Sequence, residues 1–490
     1  MYFRLCAVLQ FLYRTPLQHC PSVRSFPSQV VVKIDSLSET FLRTAGLQKA
    51  EKQIHDFRSV AMKCPWKSAI GLVLCMGMAS CGGGIQPQTR STGSLITGPP
   101  GSIPESFYGI HVNSLANPWP FVPNYAWRSL AAAINWNEIN TAPGTYDWTR
   151  FDEWMSSAQS NHAEILYTIY ATPSWASSGG INSGNPDLLC TTILNTGPGL
   201  CDPPNDLNSD GTGTNKHFTD FLKALMAHVG PGKIKYFEIW NEPNIRSEWN
   251  GTNAQLARLA QDASTIVKSA DPNAMISGPP AVAITANYLD TLFSTTNIGQ
   301  YLDVISFHGY PNNTGMPEDL IPMIQNLQAV MSSHGLQNKP LFDTEGSWGQ
   351  RQVCAGSCQQ YFTARWYLIQ MSMGVSRAYW FAWDFTDTGD FYNPATGQLT
   401  LAGSTEQVVH GWATGSLFSG ISQSGTVYQI PLTSVNGVAE LVVWDASGNS
   451  TFSVPSQFQN LKYFHVDGTS GTASSTITIG VAPILLTASP

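Results

Sequence analysis

From residue 107 onward, eight short apolar runs alternate with longer stretches of helical spacing, and this alternation limits the fold more than any other feature of the chain. The runs lie at 107–112, 125–130, 164–170, 235–240, 274–278, 303–308, 340–344 and 377–383. Between them, 216–229, 254–269, 321–334 and 361–373 repeat apolar residues at three- and four-residue steps, the period of an amphipathic helix. Eight strands interleaved with helices predict an α/β fold, a parallel (β/α)8 TIM barrel, over 105–420. The first unit is the weak one, because about a dozen residues separate strands one and two, which is short for a crossover helix. Past about residue 420 the helical spacing stops. Short runs at 427–432, 440–444, 451–454, 461–465, 476–479 and 484–487, with turn residues between them, predict a small β-sandwich over 421–490.

Composition narrows the function. Hydrophobic residues make up 42% of the 490, enough for a large core, whereas charged residues are 12%, about half the usual share. The surface is therefore largely uncharged and polar. A net charge of -8 argues against nucleic acid as the main partner, because binding phosphates requires a basic surface. Fifteen Trp and seventeen Tyr supply flat faces. Most belong in cores, and a few are available to stack on sugar rings.

Residues 1–61 show neither helical nor strand periodicity. Met62, Lys63 and Lys67 then lead into an apolar run at 69–79, shorter than the ~20 residues a membrane span needs. A basic start, an apolar stretch and small residues have the form of a secretory signal. The run ends Met78-Ala79-Ser80-Cys81, which resembles the lipobox of bacterial lipoproteins, with Met78 where Leu is usual. The expectation is an over-extended reading frame at 1–61, a signal peptide at 62–81, lipidation of Cys81 and a Gly/Ser/Thr/Pro-rich tether at 82–104. That places the protein outside the cytoplasm in a bacterial cell envelope, with the membrane as partner through the lipid. Four cysteines follow: Cys190, Cys201, Cys354 and Cys358. An even number outside the cytoplasm suggests disulfides. The short separations favour Cys190–Cys201 and Cys354–Cys358, while sequence alone leaves the connectivity open. None is spaced with His as a zinc ligand.

The chemistry sits at strand ends. Strand four closes with Glu238-Ile239-Trp240-Asn241-Glu242-Pro243-Asn244, and strand seven with Phe342-Asp343-Thr344-Glu345-Gly346. Barrels of this kind carry their active sites at the C-terminal mouths of the strands, and two facing carboxylates are what glycosidic cleavage requires. Alternation along a strand puts Glu238 on the side of Glu242 and Asp343 on the side of Glu345, each one layer deeper. Strict alternation also separates Asn241 from Glu242, so the strand must bulge or end there for both to face a cleft.

Asn241-Glu242-Pro243 on strand four, with Glu345 ending strand seven, resembles clan A of the retaining glycoside hydrolases, closest in appearance to family 39 and its uncharacterised relatives. The resemblance covers roughly 105–420. It implies that Glu242 is the general acid/base and Glu345 the nucleophile, with retention of anomeric configuration. It further implies that Asn241 holds the sugar 2-hydroxyl, that Tyr310 donates to the nucleophile, and that His308 orients the sugar or a carboxylate. Arg128 ends strand two, where clan members carry an Arg beside the nucleophile. The following residues, Ser129 to Ala133, lack the polar and aromatic groups common there.

Trp383, at the end of strand eight, is the expected floor for the sugar at the scission point, and Trp136, Trp175 and Trp348 are rim candidates. Asp206, Asn208, Asp210 and Gly211 have the spacing of a calcium loop, but His217 stands where a Glu is needed; a polar turn before the next helix is the better reading. No metal and no cofactor are expected. The expected reaction is hydrolysis of β-glycosidic bonds in an oligo- or polysaccharide by a monomer. The alternative is a binding-only lipoprotein on the same barrel, which the presence of both carboxylates disfavours.

Overall fold

Strands buried on both faces need side chains that pack inward on the barrel axis and outward on the helices, and the eight apolar runs meet this requirement. A computed structural model describes residues 101–120, 125–188, 197–283, 285–349, 354–385 and 389–488. The expected signal, lipidated Cys81, most of the tether, and Cys190 lie outside the described residues. The strands are β1 Tyr108–His111, β2 Ala126–Arg128, β3 Glu164–Ile169, β4 Tyr236–Ile239, β5 Met275–Ser277, β6 Ile305–His308, β7 Leu341–Gly346 and β8 Arg377–Trp380. All pair in parallel, in the order β5-β4-β3-β2-β1-β8-β7-β6. Parallel bridges Ser277–Val304 and Ala281–Phe307 bring β5 to β6, so the sheet is a TIM barrel.

Ala126, Leu166, Tyr236, Val304, Phe342 and Tyr379 form a layer inside the barrel. Tyr236 and Phe342 meet edge to face at 5.0 Å. The Tyr379 ring takes the space above Gly109, where a Cβ would fall 2.3 Å from a ring carbon. The glycine on β1 is there for close approach.

Helices Lys216–Val229, Asn253–Ala270, Leu320–Ser333 and Ser357–Ser372 occupy the predicted stretches, and Thr149–Ser160, Thr285–Thr295 and Leu401–Ala413 add to them. The short first connection contains no helix among its described residues, 112–120. The Ser357–Ser372 helix is buried from Phe362 to its end. It packs against Leu401–Ala413 and sends Arg365 to the Val481 carbonyl in the C-terminal region.

That region is antiparallel. Leu417–Phe418, Ser422–Ser424, Val427–Thr433, Ala439–Asp445, Ile484–Thr487, Lys462–His465 and Ser470–Thr472 form one sheet, and Ser450–Ser453 pairs with Thr476–Ile479 in a second. The first strand of the large sheet thus precedes residue 421. Alternation along Ala439–Asp445 explains the packing. Leu441 and Val443 join Val454, Ile479 and Leu486 in a core between the sheets, whereas Val442 and Trp444 join the barrel's core. Trp444 Nε1 donates to Glu318 Oε1 at 2.8 Å, and Arg365 Nη1 donates to the same oxygen at 3.1 Å.

Candidate active site

The mouth of β4 is built from backbone conformations that L-residues rarely adopt. The strand ends at Ile239; Trp240 and Glu242 then have φ of 65° and 40°. Each left-handed residue costs about 1–2 kcal/mol, and local contacts hold the turn. Trp240 N donates to the Ile169 carbonyl at 3.0 Å, and Ile245 N donates to the Glu242 carbonyl at 2.9 Å. The ending strand thereby resolves the alternation problem, and Asn241 and Glu242 both line one cleft.

On β7 a bulge does the equivalent work. Phe307 pairs with Asp343, but His308 pairs with Glu345, so Thr344 is an extra residue on this strand. Phe342 lies inside the barrel, and without the extra residue Glu345 would point outward with Asp343. The bulge re-aims it inward. This corrects the expectation that Asp343 shares a side with Glu345. Asp343 Oδ1 instead accepts from Gly309 N at 2.8 Å and Glu345 N at 3.3 Å. Its carboxyl lies towards Trp366 and Gln370 of the Ser357–Ser372 helix, and burial pushes it well above the usual carboxylate range.

Arg128 joins the two mouths. Fully buried, it donates from Nε to Glu238 Oε2 at 2.7 Å, from Nη1 to Glu345 Oε2 at 2.8 Å and from Nη2 to Asn241 Oδ1 at 2.9 Å. Glu238 also accepts from Thr168 Oγ1 at 3.0 Å and is sealed beneath the cleft as the cation's partner. Tyr310 OH donates to Glu345 Oε1 at 2.8 Å, so each oxygen of Glu345 has one donor. The Glu242 and Glu345 side chains keep 16% and 12% exposure, enough to meet a ligand.

Glu242 has a different environment. Its Oε1 lies 2.7 Å from His308 Nδ1. Burial pushes its carboxyl up to about 7, with Arg128 pulling the other way. Burial lowers His308 to about 4, against the pull of Glu345 and with help from Arg128, so the imidazole is neutral at neutral pH. One atom from each of Glu242, His308 and Glu345 falls within 4.8 Å of the others. A metal would accept such a triad, but the guanidinium 2.8 Å from Glu345 already supplies a fixed cation there.

Residues 135–386 match the family described as cellulase, glycosyl hydrolase family 5. The chain belongs to that family. The chain is also 24% identical over 166 residues to a beta-xylosidase of Geobacillus stearothermophilus, over 29% of this chain and 31% of that protein, so the match spans about a third of this curated relative's length. A family 39 glycoside hydrolase of Bacteroides cellulosilyticus WH2 superposes with a TM-score of 0.59 at 14% identity, covering 79% of this chain and 81% of that one. A GH30 endoxylanase of Clostridium papyrosolvens C71 follows at 0.54 and 11%, covering 81% and 98%. A family 39 beta-xylosidase of Caulobacter crescentus gives 0.51 and 12%, covering 80% and 98%. At these identities the likeness is one of fold, and that fold is the clan A barrel expected from the strand-end motifs.

The structure gathers Glu242, Glu345, Asn241, His308, Tyr310 and Arg128 but leaves the four tryptophans out of the cleft wall. Trp383 is 2% exposed, stacks on Tyr392 at 5.2 Å and donates to the Pro118 carbonyl. Phe381, two residues earlier, lines the cleft in its place. Trp136 packs between Phe218 and Phe221. Trp348 packs on Phe362 and Trp380. Trp175 donates to the Asn140 carbonyl and meets His217 edge-on. Each shapes loops from behind.

Sequence reasoning missed Tyr170, Phe381, Phe385 and Glu248 on the cleft wall. It also missed Asp384, whose carboxylate accepts from Asn113, Ser114 and Asn117 and ties the loop after β1 to that after β8. Tyr170, ending the third apolar run, and Phe381, near the end of the eighth, sat where barrel logic points. In the calcium-like segment, Asp206 Oδ2 accepts from Lys216 N and His217 N and caps the Lys216–Val229 helix, while Asp210 Oδ1 accepts from Thr212 N at 2.9 Å. Cys354 and Cys358 are bonded to each other. Cys201 is also disulfide-bonded.

Proposed function

We propose that the chain hydrolyses β-glycosidic bonds with retention of anomeric configuration. The observation carrying this reading is the approach of Glu242 and Glu345 to within 4.8 Å, in unlike environments. Retaining enzymes hold their carboxyl groups about 5–5.5 Å apart, whereas inverting ones leave about 6.5–9.5 Å for a water. Glu345, held by Arg128 and Tyr310, attacks the anomeric carbon. Glu242, raised to about 7, holds a proton in about half of the molecules at neutral pH, and that form gives it to the departing oxygen. It then takes a proton from the water that releases the sugar. His308, neutral, orients Glu242 through Nδ1.

The β-xylosidase relative makes aryl β-xylosides and xylans the first substrates to assay, alongside β-glucans and mannans. The test is proton NMR of the first-formed anomer, with Glu345→Ala as control. Initial release of the inverted anomer, or full activity in Glu345→Ala, refutes the mechanism. The envelope location rests on the pattern at 62–81 alone. Mass spectrometry of the mature protein tests it, and an N-terminus upstream of residue 62 defeats it.

A further inference from the structure

The cleft holds a third carboxylate that the double displacement does not use. Glu248 lies on the turn after β4. Its backbone is pinned, because Trp240 Nε1 donates to the Glu248 carbonyl at 2.6 Å while Trp240 packs edge-on against Trp249 and Tyr170. Its side chain is held through one oxygen. Tyr170 OH and Asn241 Nδ2, the latter at 3.3 Å, both donate to Oε2. Oε1 accepts from no described residue and is not sealed off from the cleft that Glu248 lines. A half-used acceptor on the wall of a ligand-sized cleft is a place for a ligand's donor.

Asn241 decides which donor. Arg128 Nη2 occupies its Oδ1, so Nδ2 is turned towards Glu248 and spends one hydrogen there. The other hydrogen remains for a sugar oxygen. A hydroxyl accepting it would lie within reach of Glu248 and would need an acceptor for its own proton. The charge of the wall adds a second constraint. Among the described residues lining the cleft, three are Glu and none is Lys, Arg or His. Arg128 lies fully buried behind them, donating to Glu238, Glu345 and Asn241.

We propose that Glu248 is a specificity-determining residue: it accepts a hydrogen bond from the sugar hydroxyl held by Asn241, and it restricts the catalytic subsite to neutral or amino sugars by repelling anionic ones. The inference rests on the glycosidase reading above, in which that hydroxyl is the one at ring position 2.

The test compares wild type, Glu248→Ala and Glu248→Gln on 4-nitrophenyl β-glucoside, its 2-deoxy analogue and 4-nitrophenyl β-glucuronide. Assays run at pH 7.5, on the charged side of the value of about 7 to which burial lifts Glu248. In Glu248→Ala, the kcat/KM penalty for removing the 2-hydroxyl shrinks by about tenfold or more. Glu248→Gln removes the charge; with its one amide oxygen taken by Tyr170 and Asn241 it presents Nε2 to the sugar, so its penalty shrinks as in Glu248→Ala, and its glucuronide-to-glucoside ratio rises by about tenfold. An unchanged 2-deoxy penalty in Glu248→Ala overturns the hydrogen bond, and an unchanged ratio in Glu248→Gln overturns the charge selection. Thermal shifts with gluco- and glucurono-configured oligosaccharides run in parallel. A wild type that cleaves nothing defeats the glycosidase reading, while these shifts, compared across the three proteins, still decide what Glu248 recognises.

Discussion

Glu242→Gln separates the catalytic use of Glu242 from its cost in stability. Burial raises the carboxyl from 4.5 to about 7 in the folded chain, and one pH unit corresponds to 1.36 kcal/mol between protonation states. Below pH 4.5 the folded and unfolded chains both hold the proton. Between 4.5 and 7 only the folded chain holds it, so unfolding releases a proton and stability falls as pH rises. Above about 7 both have lost it, and the folded chain has forfeited about 3 kcal/mol relative to acid. Glutamine cannot ionise and keeps a hydrogen-bonding group 2.7 Å from His308 Nδ1. The variant therefore matches wild type near pH 4.5 and exceeds it in melting temperature by a margin that opens up to pH 8. Glu248 stands in both proteins, and to first order its own titration cancels. Differential scanning calorimetry of both proteins from pH 4.5 to 8 reads the margin. A gap that stays constant with pH refutes the reasoning.

The same titration predicts a kcat/KM that declines above pH about 7 in wild type, measured on an oligosaccharide or alkyl glycoside whose poor leaving group needs the proton; a rate flat to pH 9 contradicts it. Tyr310→Phe removes the donor on Glu345 Oε1 and lowers kcat by about 10–100-fold, the worth of a hydrogen bond to a charged group, with little change in melting temperature. Arg128→Leu leaves Glu238 and Glu345 without their shared cation and destabilises the fold by about 3–5 kcal/mol, read by denaturant unfolding. Trp383→Phe lowers the melting temperature but leaves KM unchanged, because the ring packs on Tyr392 outside the cleft wall; a raised KM would return it to the sugar site. Gly109→Ala drives a Cβ into the Tyr379 ring and costs about 1–3 kcal/mol.

Periodicity and short motifs are local, and what depends on them was legible in the chain. The eight barrel strands lie where apolar runs occur, Lys216–Val229 is the helix the spacing predicts, and the acids at 242 and 345 follow from the mouths of β4 and β7. Tertiary structure decided what depends on packing across the barrel. A single extra residue, Thr344, turns Glu345 inward and sends Asp343 outward, and no alternation rule applied to β7 alone reveals a slip defined by its pairing with β6. Phe381 rather than Trp383 lines the cleft, because the larger ring finds Tyr392 and Pro118 behind it. Arg128 meets residues 110, 113 and 217 positions away. Glu248, an unremarkable acid on a turn, becomes part of the site only when Tyr170 from the neighbouring strand reaches its carboxylate. Local sequence sets which residues are offered at each strand mouth; closing the barrel selects which of them face one another.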